Sequence, residues 1–191
     1  MYNKKEVGMA KLYFRYGTMG SSKTAQALMT RFNYITKGFN VLLVKPELDT
    51  RSSKVSSRIG LEAECEIIEK DQTFAGLVIK HRPNVIIVDE CQFLTPKQVE
   101  ELKDISQEMP VMCFGLLTNF QTRLFDGSKR LIELADSIGE IKSVCKCGRK
   151  ATVNARLING KVVTKGPEVL IGAEEKYEGM CYHCFKKSIN N

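Results

Sequence analysis

Gly17-Thr18-Met19-Gly20-Ser21-Ser22-Lys23-Thr24 is the stretch that decides the fold. It follows a short strand-like run from Lys11 to Tyr16. It opens a helical pattern from Lys23 to about Lys37, with Gly38 placed as the stop. Glycine, four residues, then a small residue, lysine and threonine is nearly the phosphate-binding loop of strand–loop–helix nucleotide folds. Such a loop aims backbone N–H groups and the positive end of the helix at phosphate oxygens. In this reading Lys23 reaches the β- and γ-phosphates of ATP, and the Thr24 hydroxyl holds Mg²⁺. Ser22 is the departure, bringing a Cβ to the position where the pattern has glycine.

A second motif answers the first. Val85-Ile86-Ile87-Val88 ends in Asp89-Glu90, which reads as a buried parallel strand delivering carboxylates to the edge of a sheet where ligands bind. Asp89 acts on Mg²⁺, through water in most such sites. Neighbouring side chains on extended backbone point opposite ways, so Glu90 faces a second substrate and is the candidate general base for a hydroxyl nucleophile. Loop and acidic strand end, in this order, indicate ATP binding. They do not by themselves fix the reaction, because Asp89-Glu90-Cys91-Gln92 also looks like the acidic box of helicases, where the glutamate activates water.

Between and beyond these motifs, Val41 to Lys45 and Val111 to Leu117 read as further buried strands. Helices are predicted over Thr73 to His81, ending before Pro83, and from Ser128 to Ala135. The best-marked one starts at Thr95 as N-cap, with Pro96 first and Gln98 three residues after the cap. Strand and helix alternate, which predicts an α/β fold of P-loop (RecA-like) type, a parallel sheet flanked by helices on both faces.

The pattern changes after about Lys142. Cys145-Lys146-Cys147 and Cys181-Tyr182-His183-Cys184 flank a segment containing Asn159-Gly160 between β-prone residues, a hairpin signal. Four thiolates in two pairs match a closed, structural zinc site, with His183 a poorer alternative to Cys184. Two units are therefore expected: residues 1–142 as an ATP-binding α/β core, and residues 143–191 as a small zinc-containing β lobe. Of the formal charge of +7, most lies from Ile141 onward, where ten Lys and Arg stand against four Glu. The core is close to neutral and carries no arginine-rich run, so nucleic acid is not favoured as a partner. No apolar run approaches a membrane span and the first residues carry no signal-peptide h-region, so no membrane partner is expected and the cytoplasm is the expected compartment.

With Asp89-Glu90-Cys91-Gln92-Phe93-Leu94 in view, the chain resembles the bacterial and cytosolic type of thymidine kinase along nearly all its length. Tyr16-Gly17-Thr18-Met19, Asp49-Thr50-Arg51, Val55-Ser56-Ser57-Arg58-Ile59-Gly60, the segment Gly115 to Phe125, Val169-Leu170-Ile171-Gly172 and Tyr177 recur in order and spacing. Cys-x-Cys-Gly-Arg-Lys-Ala likewise occurs in one bacterial branch of that family. The resemblance implies transfer of the γ-phosphate of ATP to the 5′-hydroxyl of thymidine or deoxyuridine in deoxynucleotide salvage. It implies that Glu90 deprotonates that hydroxyl and that Arg51 steadies the transferring phosphoryl group. Met19, Phe93, Leu116, Phe120, Phe125 and Tyr177 would wall the base. Backbone around Leu170, Ile171 and Gly172, in a lasso-like loop closed by the zinc site, would bind its edge. A homotetramer is a further implication of the resemblance.

Overall fold

The computed structural model describes residues 11–47, 53–167 and 175–190. In chain order the core elements are β1 (Leu12–Tyr16), α1 (Lys23–Ile35), β2 (Val41–Pro46), β3 (Lys54–Ser56), β4 (Glu62–Glu64), β5 (Glu66–Ile68), α2 (Phe74–His81), β6 (Val85–Val88), a 3-10 turn (Cys91–Phe93), α3 (Pro96–Ile105), β7 (Val111–Gly115), α4 (Asp126–Leu134) and β8 (Ser137–Glu140). They are followed by β9 (Val153–Ile158), β10 (Lys161–Val163), β11 (Glu175–Met180) and α5 (Tyr182–Ile189). No helix of the described residues is long and apolar enough to cross a membrane.

Six strands form one sheet in the order β5-β2-β6-β7-β1-β8, every pair parallel. The α/β class expected from the alternation is therefore present. Side chains alternate across the sheet, as the period of two requires. On β6, Ile86 and Val88 join a core with Leu12, Phe14, Leu102 and Leu131, while Val85 and Ile87 join one with Ala27, Leu28 and Phe114. One face is thus covered by α2, α3 and α4, and the other by α1 and the β3–β4 hairpin, which contributes Val55. Because all strands run one way, the ends of β1, β6 and β7 lie along one edge. Strand β7 separates the strand that leads into the phosphate loop from the strand that ends at Asp89.

Element ends follow local chemistry. Helix α3 carries the expected capping box: Thr95 Oγ1 accepts from the Gln98 N–H at 3.2 Å, and Gln98 Oε1 accepts from the Thr95 N–H at 3.0 Å. Several predicted boundaries move by a residue or two, and for two of them a side chain gives the reason. Strand β7 stops at Gly115 rather than Leu117, because the Leu116 N–H donates to the Gln92 side chain at 3.0 Å and leaves the ladder. Helix α4 starts at Asp126 rather than Ser128; the fully buried Ser128 hydroxyl lies inside the helix and donates to the Leu116 carbonyl at 2.6 Å.

The C-terminal strands make a separate antiparallel sheet, β10-β9-β11. Asn159 (φ 50) and Gly160 (φ 77) form the two-residue turn expected of Asn-Gly, pairing Ile158 with Lys161. Ala151, Val153, Ala155, Met180 and Phe185 give this sheet an apolar cluster of its own.

Candidate active site and metal centre

The phosphate loop begins where β1 ends. Its first residue has no alternative to glycine, since a Cβ at Gly17 would stand 2.3 Å from Ser21 Oγ and 2.5 Å from the Ile141 carbonyl. The Gly17 N–H donates to the Gly115 carbonyl at 3.2 Å and the Ser21 N–H to the Thr18 carbonyl at 3.1 Å. Lys23 folds back over the loop, and its ammonium donates to the Thr18 carbonyl at 2.9 Å. Burial lowers the pKa of Lys23, while Glu90 and Asp89 pull it back up. Ser22 is the N-cap of α1 at φ 63, ψ 25, a left-handed conformation, and no side-chain cap bond compensates for it. The glycine of the general pattern and the serine of this chain therefore meet the same backbone demand, and serine meets it with strain.

Asp89 and Glu90 stand opposite the loop. Asp89 is 4% exposed and accepts the Thr24 hydroxyl. Burial, then the neighbouring Glu90 charge, raise its pKa to about 7, against the pull of Thr24 and Lys23. Its Oδ1 is buried and accepts no hydrogen bond among the described residues. A buried carboxylate oxygen without a donor, beside a threonine hydroxyl and a loop lysine, fits a divalent cation carried with a triphosphate. Glu90 is half-buried at φ 53, and its Oε2 accepts from Gln92 Nε2 at 2.6 Å.

Beyond Glu90 lie the aromatic residues. The rings of Phe93 and Phe125 meet edge to face at 5.6 Å, and Leu116 lies buried at the end of β7. Phe120, only 1% exposed, packs beneath the guanidinium of Arg156, whose carbon is 3.6 Å from the ring centre. Arg156 Nε also donates to the Tyr177 hydroxyl at 2.8 Å. Phe120 and Tyr177, expected as separate walls, are thus joined by one buried cation. Arg51, Leu170, Ile171 and Gly172 lie outside the described residues.

Four residues with direct contacts here carry no role in the sequence reading. Gln92 and Arg58 sit inside motifs quoted for the resemblance. Arg58 Nη1 lies 3.8 Å from where a Gly20 Cβ would stand, and its charge lowers the pKa of Lys23. Asn154 and Arg156 are the polar residues of an otherwise apolar strand, and their alternation with Val153 and Ala155 is the signal for a face that does not serve the lobe's own core.

The second cluster is made of four cysteines. The sulfurs of Cys145, Cys147, Cys181 and Cys184 all lie within 4.8 Å of one another, with Cys147 and Cys181 at 3.6 Å. Tetrahedral thiolates at the Zn–S distance of about 2.3 Å stand roughly 3.8 Å apart, so these four residues fit zinc. Gly148, at φ 82, lets the short Cys-x-Cys knuckle close: its N–H donates to the Cys145 carbonyl at 2.8 Å. Cys181 caps α5, and its sulfur accepts from the Cys184 N–H at 3.4 Å. Backbone N–H groups of Cys147 and Cys181 pull the Cys145 thiol down to about 6. Exposed His183 is not in the cluster, in which Cys184 supplies the fourth sulfur.

Proteins of one family resemble this chain over nearly all of its length. The family model described as "Thymidine kinase" matches residues 10–185. The chain is 42% identical over 190 residues to a protein of Rhodopirellula baltica named thymidine kinase, covering 95% of this chain and 90% of that one. It is 40% identical to the thymidine kinase of Shewanella oneidensis, covering 95% and 99%, and 42% identical to that of Streptococcus gordonii, covering 96% and 100%. A phosphate loop, an acidic strand end, a four-cysteine cluster and matches of this length have one reading: the chain belongs to the thymidine kinase family.

Proposed function

We propose that this chain transfers the γ-phosphate of ATP to the 5′-hydroxyl of thymidine or deoxyuridine, giving the 5′-monophosphate for deoxynucleotide salvage. The observation that carries the reading is the buried Asp89 carboxylate, set between Thr24, Lys23 and Glu90, whose Oδ1 has no partner among the described residues. In this account the loop from Gly17 to Ser22 and Lys23 bind the triphosphate, and Thr24 and Asp89 hold its Mg²⁺. The ion supplies charge neutralisation to the phosphoryl oxygens. Glu90, held by Gln92, removes the proton from the attacking hydroxyl. Arg51 engages the transferring group, and Arg58, beside Gly20, is a second guanidinium for the same charge.

Met19, Phe93, Leu116, Phe125 and Tyr177 enclose the base, with Phe120 supporting Arg156 behind them. Backbone of Leu170, Ile171 and Gly172 binds the base edge. Zinc on the four cysteines is structural, since four protein ligands leave no open position. The division at 142/143 into core and lobe, a cytoplasmic location and a homotetramer complete the proposal. Self-association is supported by the side of α1 that shows Met29, Phe32 and Ile35 at 49%, 65% and 41% exposure with no acidic residue in the helix.

The test is a panel of nucleosides with γ-labelled ATP and Mg²⁺, read for labelled monophosphates. Label in thymidine or deoxyuridine monophosphate is the expected result. ADP release that ignores nucleosides, or label in other nucleosides alone, contradicts the assignment.

A further inference from the structure

Asn154 occupies a position that neither the phosphate chemistry nor the zinc site accounts for. It lies on β9, 3% exposed. Along this strand Val153 and Ala155 turn into the lobe's apolar cluster, so Asn154 and Arg156 turn the other way, toward the core. The carboxamide of Asn154 uses both ends. Oδ1 accepts from the Met19 backbone N–H at 2.8 Å, and Nδ2 donates to the Thr118 carbonyl at 2.7 Å. Those partners fix its orientation, since only the NH₂ end can face a carbonyl oxygen.

Two further contacts seat the same stretch of loop on the lobe. Thr18 Oγ1 and Ser143 Oγ share a hydrogen bond of 2.6 Å. Gly179 of β11 lies so close that a Cβ there would come 2.8 Å from the Met19 carbonyl and 2.9 Å from Thr18 Oγ1. The Met19 backbone is thus held from both of its sides by the sheet that carries the cysteine cluster.

We infer that Asn154 is a positioning residue for phosphoryl transfer: it anchors the phosphate loop at the Met19 amide and makes the loop's geometry depend on the C-terminal lobe. The inference rests on the kinase reading above. A phosphate loop works through the direction of its N–H groups, and that direction is only as fixed as the loop backbone. The amides of Gly17, Met19 and Ser21 are each committed, to Gly115, Asn154 and Thr18. Of the three, the Met19 bond is the one made by a side chain from another sheet, so it alone transmits the position of the lobe. Thr118 belongs to the segment that carries Leu116, Phe120 and Phe125, so one buried amide spans the ATP loop and the nucleoside wall.

The experiment uses the full-length, zinc-loaded protein with Asn154→Leu, close in shape but without polar atoms, and Asn154→Ala. Affinity for a non-hydrolysable ATP analogue with Mg²⁺ is measured by calorimetry in the absence of thymidine, alongside both KM values and Tm. Both variants are expected to weaken analogue binding about tenfold, the scale of one lost buried hydrogen bond. ATP KM rises by a similar factor, and by more than thymidine KM. Ser143→Ala, which leaves the Met19 amide bound, changes analogue affinity less than about twofold. An Asn154→Leu protein that keeps its Tm and binds the analogue like wild type overturns the inference. Amide exchange in the wild-type protein serves independently of whether the variants fold: Met19 is expected to exchange as slowly as strand amides, and exchange at the rate of exposed loop amides overturns the anchor. Wild-type protein that binds no ATP analogue refutes the kinase reading instead.

Discussion

Gln92 Nε2 holds Glu90 Oε2 at 2.6 Å while Gln92 Oε1 accepts the Leu116 N–H at 3.0 Å, so the carboxylate assigned as base is tied to the end of the neighbouring strand. Gln92 is 2% exposed, and Glu90 sits at φ 53, a conformation a glutamate keeps only when its surroundings impose it. Gln92→Ala is expected to lower kcat by about 10- to 100-fold with ATP KM changed less than about twofold, because the base loses its aim while the phosphate loop keeps its shape. Gln92→Glu removes the amide donor and sets a second carboxylate against the first, so it is expected to lower kcat at least as far as Gln92→Ala. Steady-state kinetics check both outcomes.

Ser22 carries a strain that glycine would relieve. The residue is exposed, at φ 63, and makes no side-chain cap bond. Ser22→Gly is expected to stabilise the protein by about 1 kcal/mol, raising Tm by roughly 2–4 °C, with ATP KM unchanged or lower. Ser22→Val, β-branched at the same angles, moves Tm the other way. Calorimetric melting of the three proteins decides the matter.

Asp89 gives the ligand-free protein a pH dependence of definite sign. Its pKa stands at about 7, well above the usual carboxylate range, so the folded state binds this proton more tightly than the unfolded state. The destabilisation is absent below the unfolded value and complete above the folded one. Stability contributed through this group therefore falls as pH rises from about 4 to about 7. Asp89→Asn is expected to flatten that slope and to raise the ligand-free Tm at pH 8 by a few degrees, while Mg²⁺-dependent turnover drops about 100-fold or more. A Tm at pH 8 equal to or below that of wild type speaks against a cost of burying this carboxylate.

The four cysteines predict one zinc per chain, measurable by elemental analysis. Cys147→Ala is expected to lose the metal and to lower Tm by about 5 °C or more, since a four-thiolate site contributes folding energy to a lobe with a small core. Thymidine-dependent turnover falls with it. Zinc-free protein with an unchanged Tm contradicts the structural role.

Much of this was legible in the sequence, and what was not has physical reasons. Strands β1, β2, β6 and β7 are apolar runs, and the Thr95-Pro96-Gln98 signature is local, so elements with either property announce themselves. Strands β5 and β8 do not: Glu66-Ile67-Ile68 is too short to show a period, and Ser137-Ile138-Gly139-Glu140 is half-exposed at the sheet's edge. Asp89 and the cysteine pairs could be read because their spacing is their chemistry. The work of Gln92, Asn154 and Arg156 depends on partners 24, 36 and 21 residues away, Leu116, Thr118 and Tyr177, which only the folded chain brings together.

Glu90 as the base is tested by thymidine-dependent ADP release from Glu90→Gln, measured beside calorimetric binding of an ATP analogue. kcat is expected to fall by about 10³-fold, the scale of a lost general base, with analogue affinity retained. Thymidine-dependent turnover at the wild-type rate would contradict it.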